Sequence, residues 1–117
     1  MAEADAALIV ESLRLAGAGD LAPDTVLGVN GAGLSGGQAQ RVAVARALYR
    51  TMALDCRVLV CDEPSSALDA DAEAALISGF RQIAAQGRIV IVVSHRPAVL
   101  DAADQVLQMG ESVHVGS

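Results

Sequence analysis

A chain of 117 residues is the size of one small domain, long enough for a hydrophobic core but short for a nucleotide-hydrolysing α/β enzyme. Its 53% hydrophobic content comes with only one Tyr and one Phe, so the core must be built from Ala, Val, Leu and Ile, and the composition supports a globular interior rather than disorder. The net charge of −6 and the lack of basic runs argue against a nucleic-acid surface, and because all eight Lys/Arg positions are Arg the sequence has no lysine.

No apolar run reaches the ~20 residues needed to cross a bilayer, and acids stand near the amino terminus where a signal peptide carries bases. The chain is therefore expected to be soluble. Cys56 and Cys61 lie five apart with no CxxC and no His at metal-ligand spacing, which points to a reduced, cytosolic pair of core thiols. Neither an internal repeat nor a low-complexity segment is present.

In chain order, Ala7, Leu8, Val10, Leu13 and Leu15 recur at helical spacing over residues 4–16, and Gly17 and Gly19 stop the run. Residues 17–33 are rich in Gly, Pro and Asp, broken only by Thr25, Val26 and Leu27, and read as a long ordered loop. Residues 34–46, LSGGQAQRVAVAR, then open a helix. Ser35 is its N-cap, Gln38 completes an S-x-x-Q capping box, and the apolar run starts directly afterwards. The spacing predicts a helix over 35–50 with Val42, Ala45, Leu48 and Tyr49 on one face and Arg41 and Arg50 more exposed. Gly36 and Gly37 in its first turn cost roughly 1 kcal/mol each relative to Ala. Something must favour bare backbone there, and a phosphate approaching the free N–H groups is the simplest reason.

Residues 51–56 read as a connector, and residues 57–61, RVLVC, are a continuous apolar run of the kind found in parallel strands covered on both faces. Asp62, Glu63 and Pro64 follow at its carboxyl end, and then Ser66, Ala67, Leu68 and Asp69. Mg²⁺ requires a hard carboxylate oxygen, and an attacking water requires a second carboxylate to orient and polarise it. An isolated Asp-Glu pair would read as a solvated strand end. Its placement 24 residues after LSGGQ and just before SALD makes it a candidate site.

Asp69 is placed to cap a helix over 70–86, with Asp71 and Glu73 where the helix dipole prefers acids and Gly87 ending it. A helix of this length after a parallel strand is the crossover of a βαβ unit. Residues 88–93, RIVIVV, are the second strand and are also expected to be buried. Ser94, His95 and Arg96 follow at its carboxyl end, the edge where open α/β sheets place ligands. Pro97 can open a short helix reaching residue 103, and Val106, Leu107, a turn over 109–111, Val113 and Val115 suggest a terminal β-hairpin. His114 falls on the polar side of that hairpin and receives no role.

The LSGGQ string resembles the signature of ATP-binding-cassette (ABC) ATPases, whose Ser and second Gly touch the γ-phosphate of an ATP held by the opposite subunit. The resemblance places Ser35, Gly36, Gly37 and Gln38 at that contact. Asp62 and Glu63 match the family's Walker B motif, as magnesium ligand and catalytic base, and SALD matches its D-loop, which adds Asp69 to the nucleotide-binding set. His95 matches the family's switch histidine, which contacts the γ-phosphate in the same subunit. Three matches in the correct order separate this reading from an ordinary capped helix with a solvated strand end.

A complete domain of this family also carries a P-loop, GxxxxGK[ST], well before the signature; no such string occurs here, and the absence of lysine rules out a disguised one. The family's Q-loop glutamine and adenine-stacking aromatic lie upstream as well. The resemblance therefore covers about residue 24 to the end and implies the carboxyl-terminal half of an ABC ATPase domain, either a truncated gene product or an excised piece. The expected fold class is α/β: a partial P-loop NTPase (RecA-like) core with mainly parallel strands and a terminal hairpin, over 51–117, joined to part of the helical subdomain over 1–50.

The strand opening at Arg88, the SHRPA run and the GAG before LSGGQ look most like exporter-type subunits, including those that export thiols for cytochrome assembly. The exporter branch usually has a Glu after the first Gly of the segment resembling residues 25–33, whereas here Gly28 is followed by Val29 and Asn30. The resemblance implies ATP and Mg²⁺ as cofactors of the complete domain. It implies as partners the P-loop half, a second ATPase subunit and transmembrane transporter domains, at the cytoplasmic face of the cell membrane. The isolated chain is expected to be inactive and to self-associate through an apolar edge. Two other classes stay open: a non-catalytic module lending its signature face to a full ATPase, and a lobe of a chromosome-maintenance or DNA-repair ATPase. The latter would show heptads and basic surfaces that this chain lacks.

Overall fold

The computed structural model describes residues 5–23 and 33–108. Its first helix, α1 (Ala6–Leu15), starts where the Asp5 carboxylate accepts a hydrogen bond from the Leu8 amide at 3.1 Å. It ends in a Schellman turn: the Gly17 amide bonds the Arg14 carbonyl, the Ala18 amide bonds the Leu13 carbonyl, and Gly17 takes φ 73°. Ile9, Leu13 and Leu15 are buried, while Arg14 and Glu11 pair on the outer face at 2.6 Å.

Helix α2 (Gly36–Ala53) has Ser35 as N-cap, and both bonds of the capping box form: Gln38 amide to Ser35 Oγ at 3.1 Å, and Ser35 amide to Gln38 Oε1 at 3.0 Å. Val42, Ala45 and Leu48 are buried as the spacing requires. The helix continues through residues expected to form a connector. Thr51 is buried with its hydroxyl on the Ala47 carbonyl at 2.8 Å, and Met52 packs against the core, so both are held in the last turn. The chain turns at Asp55, whose φ is 52°. Arg41 is also less exposed than expected, because its guanidinium reaches the Gly37 and Gly17 carbonyls and ties α2 to the turn after α1.

Strands β1 (Val58–Asp62) and β2 (Ile89–Val93) pair in parallel, in a register that sets Val60 against Ile91 and Asp62 against Val93. Between them runs α3 (Ala70–Ala85), capped by the Asp69 carboxylate on the Ala72 amide at 2.8 Å, so the βαβ crossover is present. After β2 comes α4 (Pro97–Ala102), with Pro97 in its first turn. Leu15, Leu48, Leu76 and Ile83 are the most deeply enclosed side chains, so the core lies where α1, α2 and α3 meet beneath the sheet.

The two strands are not buried on both faces as their apolar runs suggested. Leu59 and Cys61 turn into the core and Val90 and Val92 pack against it, but Val58, Val60, Ile89, Ile91 and Val93 are each 47–60% exposed. Among the described residues the helices cover one face of the sheet only, so alternate side chains reach solvent despite being apolar. Both cysteines are free thiols, Cys61 buried and Cys56 half-buried. Val106 and Leu107 form no strand, and the rest of the expected hairpin lies outside the described residues, as does the segment over 25–32. No helix among the described residues is long and apolar enough to cross a membrane.

Candidate functional site

The parallel pairing brings the carboxyl ends of β1 and β2 side by side, and the ladder extends one step further where the Glu63 amide donates to the Val93 carbonyl at 2.7 Å. At Glu63 the backbone switches to φ 50°, a left-handed conformation that costs a non-glycine residue about 1–3 kcal/mol and persists only when its surroundings enforce it. Glu63 Oε1 lies 3.1 Å from His95 Nδ1. Its Oε2 is enclosed and has no hydrogen-bond partner among the described residues. The His95 side chain is 87% exposed, so the pair forms a rim with the imidazole in solvent and the carboxylate set back into the protein.

Asp62 ends β1 and is exposed beside Glu63. Both carboxylates line a cleft of about 480 Å³ between α2 and β1, whose walls are Ala39, Gln40, Ala43, Val44 and Val60. No cluster of three or more His, Cys, Asp or Glu able to hold a metal occurs among the described residues. A divalent ion here would take one or two carboxylates from the protein and the rest of its shell from water and phosphate, which suits Mg²⁺. The orphaned Oε2 of Glu63 next to an exposed Asp62 fits that chemistry.

The amino end of α2 is tied to this edge. Gln40 spans the loop after β1: its Nε2 donates to the Glu63 carbonyl at 3.0 Å and to Ser66 Oγ at 2.9 Å, and its Oε1 accepts from the Ala67 amide at 2.8 Å. An added Cβ on Gly37 would stand 3.1 Å from the Ala67 carbonyl oxygen and 3.4 Å from Leu68 Cδ2, whereas one on Gly36 would meet nothing closer than Ala67 Cβ at 4.0 Å. Phosphate approach is therefore not needed to explain a glycine at 37, which packing against the loop already requires. Ser35, Gly36, Gly37 and Gln38 precede Gln40 by about 7.5 Å down to about 3 Å along the helix axis, at 1.5 Å rise per residue. The structure joins Glu63 with His95 directly, and among the described residues the helix start is tied to them through Gln40 and Gly37. The Asp69 carboxylate is occupied in capping α3.

Three residues at this edge were missed by sequence reasoning. Glu73 is 5% exposed and accepts bonds from Ser65 Oγ at 2.7 Å and from the Arg96 guanidinium through Nε and Nη2. The Arg96 bonds first, and then the Ser65 bond, hold the Glu73 carboxyl below its ordinary value; the bonds to Glu73 push the Arg96 guanidinium up. The sequence assigned Glu73 to the helix dipole. Its spacing to Leu76, Phe80 and Ile83, three, seven and ten residues on, already placed it on the apolar stripe of α3, where a charge needs partners.

The family model for the ABC transporter matches residues 2–66. Among curated relatives, the type I secretion system ATP-binding protein PrsD of Rhizobium meliloti (strain 1021) is 50% identical over 88 residues, 75% of this chain and 14% of its own length. An ATP-dependent lipid A-core flippase of Vibrio vulnificus (strain YJ016) is 46% identical over 92 residues, 79% of this chain and 15% of its own. The cyclolysin secretion/processing ATP-binding protein CyaB of Bordetella pertussis (strain Tohama I) is 42% identical over 117 aligned residues, 93% of this chain and 16% of its own. The chain thus spans 14–16% of the length of these relatives. The family match begins at residue 2 and so takes in α1, upstream of residue 24 where the motif resemblance began. With the family model matching more than half of its residues, the chain belongs to the ABC transporter family.

Proposed function

We propose that this chain is the signature and Walker B portion of an ATP-binding subunit of an ABC exporter, coupling ATP hydrolysis to transport in the complete protein. The observation that carries the reading is the Glu63 carboxylate, with one oxygen on His95 and the other enclosed and unpartnered, beside the exposed Asp62. Asp62 would hold Mg²⁺, and Glu63 would orient the attacking water and accept its proton. His95 fixes the Glu63 carboxylate through Nδ1 and contacts the γ-phosphate through its second nitrogen. The bound Mg²⁺–ATP supplies the phosphoryl group and the charge neutralisation that such transfer requires.

Ser35, Gly36, Gly37 and Gln38 close the site of the opposite subunit with a helix start, whose N–H groups and dipole favour phosphate. The open space over Gly36 suits such an approach. Asp69 takes part through the turn it caps. A sequence without lysine cannot make a P-loop of its own, so the remaining phosphate contacts come from a P-loop half outside these residues, and the chain alone neither binds nor hydrolyses ATP. The apolar sheet face supports a partner there. The working assembly has two ATPase subunits against transmembrane domains at the cytoplasmic face of the membrane.

The test is complementation. A P-loop segment from a related ATPase is fused or co-expressed, and hydrolysis is measured for the parent protein, Glu63→Gln and Ser35→Arg. Glu63→Gln is expected to abolish turnover while nucleotide binding and dimer closure survive, and Ser35→Arg to block closure. Equal hydrolysis with Gln at position 63 removes Glu63 as the base.

A further inference from the structure

We propose that Glu73 is a positioning residue that sets the geometry of the Glu63–His95 pair. The meaning of that pair rests on the function proposed above; its geometry does not. Glu73 sits in the first turn of α3 on the stripe shared with Leu76, Phe80 and Ile83, and is 5% exposed. An apolar residue of similar size would serve that stripe at least as well, because a buried ion pair gives up hydration that its attraction only partly returns. What an apolar residue could not do is hold two loops at once.

One arm of Glu73 reaches the loop after β1. Ser65, two residues beyond Glu63 and 1% exposed, donates its hydroxyl to Oε2 at 2.7 Å. The other arm reaches the loop after β2. Arg96, next to His95, donates through Nε to Oε2 and through Nη2 to Oε1, and its own amide donates to Ser94 Oγ at 3.0 Å, so the residues on both sides of His95 are pinned. Both carboxylate oxygens are used, consistent with a carboxyl held below its ordinary value. The backbone link between the same loops is the Glu63 amide on the Val93 carbonyl, which leaves the Glu63 side chain and the His95 ring free to turn. Glu63 is also in the left-handed conformation, which relaxes unless its neighbours enforce it. Ser65 and Gln40 flank it, and Ser65 is held by Glu73.

The experiment uses the 117-residue chain without nucleotide, labelled with ¹³C and ¹⁵N. The readout is the nuclear Overhauser cross-peak between the His95 ring and the Glu63 γ-protons, together with the amide spectrum and the thermal midpoint. In Glu73→Gln, which keeps shape and a bond to Ser65 but loses the ion pair, the dispersed amide spectrum is expected to persist while the cross-peak disappears. Arg96→Lys in the parent chain, which keeps the charge but loses the fork, is expected to retain part of it. A purely structural role for Glu73 would lower the midpoint and leave the cross-peak intact in the folded chain, and that result overturns the proposal. So does absence of the cross-peak from the unsubstituted chain. Should Glu73→Gln fail to fold, Ser65→Ala decides: a weakened cross-peak supports the proposal and an unchanged one overturns it. A negative hydrolysis test after complementation would leave this outcome untouched.

Discussion

Gly79 offers the most demanding test of the helix packing. It lies in the third turn of α3, where an ordinary exposed glycine replaced by alanine would gain about 1 kcal/mol of helix propensity. Here an added Cβ would stand 1.7 Å from the Leu15 carbonyl oxygen, 2.6 Å from its carbon and 3.1 Å from its Cα. All three atoms are backbone, so no rotamer change relieves the overlap. The two helices must part by roughly 1.3 Å to bring the closest contact to 3.0 Å, and a well-packed core resists such overpacking by about 1–3 kcal/mol or more. Sliding is also blocked, because Leu15 is 1% exposed and a Cβ on Gly17, two residues on, would lie only 3.1 Å from Ala75 Cβ. Gly79→Ala is therefore expected to destabilise by about 2 kcal/mol in urea unfolding, the upper end of that cost less the propensity gain. Gly36→Ala, with open space above it, is the control and is expected to be neutral or slightly stabilising. A Gly79→Ala chain as stable as the parent would show that α1 and α3 do not meet in this way.

Three further expectations follow from other parts of the molecule. The Glu73 carboxyl is held below its ordinary 4.5, so its ionised form contributes stability above about pH 4.5 that is lost as pH falls through the folded-state value; acid unfolding curves of Glu73→Gln should be flatter in that window. Burial pushes the Cys61 thiol up to about 11, so mass spectrometry after brief iodoacetamide treatment at pH 8 should find Cys56 alkylated well before Cys61; equal labelling would place Cys61 at the surface. The face formed by Val58, Val60, Ile89, Ile91 and Val93 should drive self-association, and Val60→Lys, at a position 60% exposed, should shift light-scattering mass toward the monomer without lowering stability by more than about 0.5 kcal/mol. A parent chain that is monomeric at high concentration would refute that expectation.

How much of this was legible in the sequence depended on the range of the interaction. The capping box at Ser35, the Asp69 cap, the glycine stop at Gly17 and the βαβ order were readable because each is settled within a few residues. Local chemistry also placed Glu63 and His95 at adjacent strand ends. Their meeting at 3.1 Å needed the parallel register, which no local pattern fixes. The apolar runs of β1 and β2 suggested two covered faces, but coverage depends on what else packs against the sheet, and the exposed set Val58, Val60 and Ile91 reports on that instead. Residues 51–53 stayed helical for a similar reason: Thr51 and Met52 are held by the core they pack on, which propensity cannot report.

The two glycines that open α2 show how one motif serves two constraints. Their helix penalty invited a single explanation, close approach of a phosphate to bare backbone. The structure separates them, because Gly37 faces the Ala67 carbonyl and Leu68 while Gly36 faces open space. Gly37 lets α2 sit against the loop that carries Glu63, and Gln40, three residues later and so on the same side of the helix, bonds that loop at three atoms. A rigid rod then runs from the helix start to the backbone of Glu63. Any ligand that seats on the open side at Ser35 and Gly36 bears on the same helix that fixes the left-handed turn at Glu63, with no flexible segment between. Loosening either contact, at Gly37 or at Gln40, would uncouple the two ends while leaving both the helix start and the carboxylate in place.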